Sequence, residues 1–229
     1  MVVGFVNSGM MNLSQAVGII MGANIGTTVT AWILSLTGLE SAGGLLTLLS
    51  PTGLAPLLAL LGVVLLMFAK RDKSRDIGGI FMGLGILLFG MTTMSSAVAP
   101  LTADPAFQNI LTLFNNPLFG VLAGTVVTLI VQSSAASVGI LQAVALNSTM
   151  TYGMAMPIIM GQNIGTCVHS LTSSIGANKN AKRAAMVHLY FNLIGTVIFL
   201  VLFYLGDYIF HFSFTSLQVD AAGIALIHS

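Results

Sequence analysis

Polar side chains interrupt otherwise apolar stretches of this chain in three places. Gln132, Ser133, Ser134 and Ser137 break the run 117–147, and the pattern Gly-Xaa-Asn-Ile-Gly-Thr occurs twice, at 22–27 and 161–166. Hydroxyl and amide groups can serve either an anion or a cation, because each carries both hydrogens to give and oxygen lone pairs to offer. In hydrocarbon they are costly unless paired or functional. Blander chemistry competes for the same residues. Gly18, Gly22 and Gly26, Gly161 and Gly165, and Gly79 and Gly83 have the spacing of a packing face between membrane helices, where Ser and Gln also act as interhelical glue. A third chemistry is hydrolysis, with Ser133 or Ser134 activated by a histidine. A lone nucleophile gives no reason for a duplicated Gly-Xaa-Asn-Ile-Gly-Thr, which weakens that alternative.

The elements positioning these residues are membrane helices. The 229 residues are 56% hydrophobic and 6% charged, whereas a soluble domain carries about 25% charged residues. Seven basic and six acidic side chains are too few to cover a soluble globule. Several apolar runs approach or exceed the roughly 17 to 25 residues that span a bilayer. The chain is therefore expected to be an all-α polytopic membrane protein. A net charge of +1 without a basic stripe gives no footing for a nucleic-acid partner, and the single cysteine, Cys167, excludes an intramolecular disulfide framework. Most of the thirteen Met and thirteen Phe read as filler and lipid-facing residues.

All seven basic residues lie in two clusters, Lys70, Arg71, Lys73 and Arg75, then Lys179, Lys182 and Arg183. The positive-inside rule makes both cytoplasmic. Spans are expected at 14–36, 53–69, 77–97, 151–175 and 184–205. A more polar external stretch with one surface helix is expected at 100–116, and a hairpin, spanning or re-entrant, at 117–147. Glu40, Asp104, Asp207 and Asp220 then fall outside, and His188 lies near the cytoplasmic interface. An offset of 139 pairs Ile19-Ile20-Met21-Gly22-Ala23-Asn24-Ile25-Gly26-Thr27 with Ile158-Ile159-Met160-Gly161-Gln162-Asn163-Ile164-Gly165-Thr166, identical at eight of nine positions. By the charge argument the two copies cross in opposite directions, which makes them an inverted-topology pair of the kind built into many secondary transporters.

The repeat sets the expected domain plan. Residues 1–69 are a partial first repeat, 70–76 a cytoplasmic loop, 77–205 the second repeat, and 206–229 an external loop with the start of a further helix. Ile224-Ala225-Leu226-Ile227-His228 echoes Ala184-Ala185-Met186-Val187-His188. The first-repeat partner of Gln132-Ser133-Ser134 would fall before Met1, so the chain reads as a fragment cut inside an element at both ends. Glycines flanking the Asn are expected to relax or break each Gly-Xaa-Asn-Ile-Gly-Thr helix where protein or a watery cavity covers the break.

Gln132-Ser133-Ser134-Ala135-Ala136, Gly161-Gln162-Asn163-Ile164-Gly165-Thr166 and Gly22-Ala23-Asn24-Ile25-Gly26-Thr27-Thr28 together resemble the type II sodium-dependent phosphate cotransporter family in its bacterial form. The resemblance covers nearly the whole chain and includes Gly83-Leu84-Gly85-Ile86-Leu87-Leu88-Phe89-Gly90-Met91 and the stretch 177–185. It implies two inverted repeats with broken helices, in the cell membrane, coupling inward sodium movement to uptake of inorganic phosphate. Sodium is then the coupling ion, and no cofactor is implied. Ala135 stands where the family has a third Ser, Cys167 replaces a second Thr, and His169 stands where the first repeat has Thr30.

With no Lys or Arg inside an expected span, the anion must be balanced by helix N-termini, each worth roughly half a positive charge, and by co-bound cation. Ser133, Ser134, Thr27 and Thr166 are assigned to phosphate. Gln132, Asn24, Asn163, Thr28 and Gln162 are assigned to sodium or to orienting the breaks. Alternatives are symport of another oxyanion, proton coupling through His169, the serine hydrolase above, and a structural or sensory membrane subunit.

Overall fold

A computed structural model describes residues 1–35, 51–102 and 104–229. Glu40 lies outside the described residues. These form ten α-helices: α1 (Val2–Asn7), α2 (Leu13–Ser35), α3 (Pro51–Phe68), α4 (Asp72–Thr102), α5 (Pro105–Thr112), α6 (Pro117–Val131), α7 (Ser134–Asn147), α8 (Tyr152–Ser173), α9 (Lys179–Phe210) and α10 (Ala221–His228). The only β-type pairing among the described residues is an isolated bridge between Thr151 and Gln218. The chain is thus an all-α protein, as its composition requires.

Three described helices are long and apolar enough to cross a membrane: α2, the Asp72–Met94 part of α4, and α9. Their outer faces are bare hydrocarbon, with Leu202 62% and Ile80 60% exposed, as suits lipid contact rather than water. α4 and α9 run further than 77–97 and 184–205. Their first turns take in Lys73 and Arg75, and Lys179, Lys182 and Arg183, so the connection before α4 is only a few residues long. A helix of 31 or 32 residues is about 47 Å long, well beyond a hydrocarbon core of about 30 Å. Long basic side chains at such an overhanging end can extend into the headgroup layer. The expected surface helix is α5, started by Asp104, whose carboxylate accepts from the Ala106 N–H at 2.8 Å, with Pro105 as the first helical residue. The chain then bends by 116° into α6, which Asn116 caps through the Leu118 N–H.

α6 and α7 have 15 and 14 residues, about 22 Å and 21 Å, too short to span singly. They lie where the hairpin is expected and meet at the break between Val131 and Ser134. α8 is its partner and the centre of the molecule, with Ala155, Ile159 and Cys167 fully buried. The α6–α8 seam is made by glycine. A Cβ on Gly124 would overlap the Ile158 carbonyl oxygen, one on Gly161 the Val121 carbonyl oxygen, and one on Gly165 would come 2.6 Å from the Thr125 carbonyl. The packing role of Gly161 and Gly165 is thereby shown. α3 and α4 close in the same way through Gly62, Gly78 and Gly85, whereas Gly79 and Gly83 face open space among the described residues. One residue is about 100° around a helix, so the apparent spacing picked the wrong face of α4.

The 139-residue offset carries Leu13, the first residue of α2, onto Tyr152, the first residue of α8. The sequence repeat is therefore also a repeat of where the helix starts.

Candidate functional site

The described helix interruption within a polar motif lies at Gln132 and Ser133, between α6 and α7. Gln132 ends α6 in the left-handed region (φ 56°, ψ 21°), its N–H donating to the Thr128 carbonyl at 2.7 Å. Ser133 caps α7, its Oγ accepting from the Ala136 N–H at 3.2 Å. The break brings together the carbonyl-rich end of one helix and the N–H-rich end of another, which favour a cation and an anion respectively.

The Gly-Xaa-Asn-Ile-Gly-Thr segments behave otherwise than expected. α2 and α8 run uninterrupted through both. In α8 the glycines admit α6, and in both helices Thr hydroxyls bond back to their own backbone, Thr166 to the Gln162 carbonyl at 2.9 Å and Thr27 to the Ala23 carbonyl at 3.2 Å. Such back-bonding lets a polar side chain sit in an intact helix.

Seven of the nine assigned residues line one or other of two cavities. Gln132, Ser133, Ser134 and Thr166 line a cavity of about 470 Å³, which also takes in Thr128, His169, Ser170, Thr172 and His188. Thr27 reaches that group from α2, its hydroxyl 3.3 Å from the Ser134 hydroxyl. Asn24, Thr28 and Asn163 line a second cavity of about 790 Å³, most of whose remaining wall is Met, Leu, Ile and aromatic side chains. Gln162 lies in neither. It is buried, with Nε2 donating to the Ser137 carbonyl at 3.0 Å and Oε1 without a partner among the described residues. Beside it the Thr128 and Ser137 hydroxyls pair at 2.7 Å.

α8 and α9 are antiparallel, and between the cavities their side chains interlock. Asn192 Nδ2 donates to the His188 carbonyl at 2.9 Å and to Cys167 Sγ at 3.3 Å, while its Oδ1 accepts from Asn24 at 3.4 Å. Asn192 and Ser170 carry no assignment from the sequence. The available signal was the helical spacing of His188 and Asn192 on the helix that leaves the basic cluster.

The repeat also recurs in contacts. Thr28 and Cys167 are equivalent by the offset. The Thr28 hydroxyl lies 3.3 Å from the His228 carbonyl, and the Cys167 thiol 3.4 Å from the His188 carbonyl. α10 thus stands to α2 as the start of α9 stands to α8, matching the echo of 184–188 in 224–228.

Apolar helices around a short hairpin, with polar groups gathered at its break, define a multi-pass helical membrane protein. The chain belongs to the Na+/Pi-cotransporter family, whose model matches residues 1–96 and 86–222. That is a family of transporters and not a class of enzyme, which sets aside the serine hydrolase. Among similar proteins, Bacillus subtilis (strain 168) YqeW is 27% identical over 200 residues, covering 87% of this chain and 61% of YqeW. Escherichia coli (strain K12) YjbB, whose name proposes inorganic phosphate export, is 27% identical over 201 residues, covering 87% of this chain and 35% of YjbB. The Homo sapiens sodium-dependent phosphate transport protein 2B is 34% identical over 152 residues, 58% of this chain and 22% of that protein. The chain therefore spans less than two thirds of each of these relatives. No solved structure matches it.

Proposed function

We infer that this chain belongs to a secondary active transporter of the cell membrane that couples sodium influx to uptake of inorganic phosphate. The observation that carries the reading is the helix break at Gln132 and Ser133, which opens into a polar cavity lined by Ser133, Ser134 and Thr166. Phosphate accepts hydrogen bonds from these hydroxyls, from Thr27, and from the N–H groups that begin α7. Sodium is held by oxygens of Gln132 and of the α6 C-terminal carbonyls, with Asn24, Asn163, Thr28 and Gln162 completing or orienting the cation sites. A helix N-terminus toward the anion and a C-terminus toward the cation is the arrangement of broken helices in transporters. The continuity of α2 and α8 sharpens the charge argument. Among the described residues only α7 begins at this cavity, so about half a positive charge faces an anion carrying one to two negative charges. No Lys or Arg lines the cavity, and co-bound sodium supplies the balance.

The two copies of Gly-Xaa-Asn-Ile-Gly-Thr belong to inverted repeats, with the clusters at 70–75 and 179–183 both cytoplasmic. Residues 1–69 then belong to the first repeat and 77–205 to the second, with 206–229 opening a further element on the outer side.

Radiolabelled phosphate uptake into right-side-out vesicles of cells expressing the native transporter tests the reading. Uptake is expected to rise with an inward sodium gradient, to vanish when choline replaces sodium, and to fall about ten-fold or more in Gln132→Ala, the equivalent of ~1.4 kcal/mol of binding. Phosphate uptake indifferent to sodium, or unchanged in Gln132→Ala, would remove the proposal. A second reading, export, is favoured by the match to YjbB over 87% of this chain. It predicts phosphate efflux from loaded vesicles and no sodium-driven accumulation.

A further inference from the structure

The smaller cavity contains a histidine that the binding scheme above leaves unused. Ser170 gives its one hydroxyl hydrogen to the Cys167 carbonyl at 2.8 Å. For this bond and the 2.9 Å contact with His188 Nδ1 to be made together, the serine oxygen accepts in the second, the arrangement that puts the imidazole hydrogen on Nδ1. A neutral imidazole carries one ring hydrogen, so Nε2 of His188 is left as a lone pair, with no partner among the described residues. His188 lines the cavity with Ser133, Ser134 and Thr166. No Lys, Arg, Asp or Glu shares that wall, and the other titratable side chain on it is His169 of α8. The Cys167 thiol lies behind it, buried against the His188 carbonyl.

An oxyanion entering this cavity meets donors on one side and an acceptor on the other. Hydroxyls and N–H groups suit bare oxygens, while a lone pair repels a bare oxygen and accepts a hydrogen bond from a protonated one. Phosphate near neutral pH keeps one or two hydrogens on its oxygens, and sulfate keeps none. We propose that His188, held in this tautomer by Ser170, is a specificity-determining residue that accepts the hydrogen of a protonated oxyanion, admitting phosphate and arsenate and rejecting sulfate. A site built to pair a ligand hydroxyl discriminates strongly against an analogue lacking it, because its polar group is left unpaired. This inference rests on phosphate being the substrate.

The test is competition for radiolabelled phosphate uptake at neutral pH in vesicles of cells expressing the native transporter. Excess arsenate is expected to compete and excess sulfate not to. Ser170→Ala removes the acceptor that pins the Nδ1 hydrogen, so Nε2 can become a donor; phosphate uptake is expected to persist while sulfate becomes a competitor. His188→Gln supplies an amide oxygen and keeps the discrimination. His188→Phe raises the phosphate KM about ten-fold or more, the equivalent of one lost hydrogen bond, and brings the two anions level. A merely structural His188 would lower the amount of folded transporter and leave the phosphate to sulfate ratio unchanged. Sulfate competing in the wild type, or Ser170→Ala and His188→Phe both keeping the wild-type ratio, overturns the proposal. Sodium-dependent phosphate uptake that is blocked equally by sulfate sinks this inference and spares the phosphate reading. Absence of phosphate uptake in the wild type sinks both.

Discussion

Ser137 and Gln132 stand a few residues apart in one polar motif, yet each is retained for a different reason. The Ser137 hydroxyl is fully buried and paired with Thr128, so its desolvation is compensated inside the protein. Thr128→Val should cost about 1–3 kcal/mol by leaving Ser137 unpaired, whereas Thr128→Val with Ser137→Ala should be close to neutral, because both polar partners are gone. Thermal unfolding in detergent checks both values. Gln132 instead holds a left-handed backbone that glycine would adopt without strain. Gln132→Gly should therefore stabilise the chain by up to ~1 kcal/mol while weakening sodium dependence, and that opposition would show the side chain to be kept for function. The expense of polar groups in hydrocarbon made Gln132, Ser133 and Ser134 legible in the sequence. The same argument could not separate Ser137 from them, since pairing depends on a neighbour nine residues away. His188, beside a basic cluster, reads as interfacial and Asn192 carries no expectation from the sequence; the packing of α9 on α8 turns both inward.

Helices repeat in this chain more faithfully than their surroundings do. α2 and α8 share a start, a motif and an unbroken backbone, but a Cβ at Gly161 would overlap α6, whereas one at Gly22 would meet nothing among the described residues. Gly161→Ala or Gly124→Ala should cost about 1–3 kcal/mol or more through overpacking at a backbone seam. Gly22→Ala in this chain should be neutral or stabilising by up to ~1 kcal/mol, as expected for glycine inside an open helix face. Comparing the three by thermal unfolding tests whether one spacing has two roles. Helix positions were legible because hydropathy, proline and charge fix them locally, although of the five expected spans only those of α2, α4 and α9 are long and apolar enough, among the described residues, to cross a membrane, and 53–69 and 151–175 are not among them. The continuity of α2 and α8 was not legible, since glycine and asparagine suit a break and a close approach equally well, and only the partner helix decides between them.

Across the molecule, a repeated motif suggests one central site, but its residues are distributed over two cavities. The reason is geometric. Thr166 and Asn163 are one turn apart on α8, as His188 and Asn192 are on the antiparallel α9, so adjacent turns deliver their side chains to different spaces. Adjacent turns are ~5.4 Å apart along a helix, and at this level a small polar cluster lies between α2, α8 and α9. It contains the amides of Asn24 and Asn192 and the thiol of Cys167, joined by contacts of 3.3 and 3.4 Å at the long end of the hydrogen-bonding range. If the two cavities belong to one transport path, this cluster would be a permeation barrier rather than a wall. It carries no fixed charge to repel an ion, and its strength lies in a few soft contacts. Asn192→Ala should make it leak, giving radioactive sodium flux into vesicles without phosphate; flux still strictly tied to phosphate would place the barrier elsewhere. Tight coupling in this protein would then depend on how rarely one asparagine lets go of its neighbours.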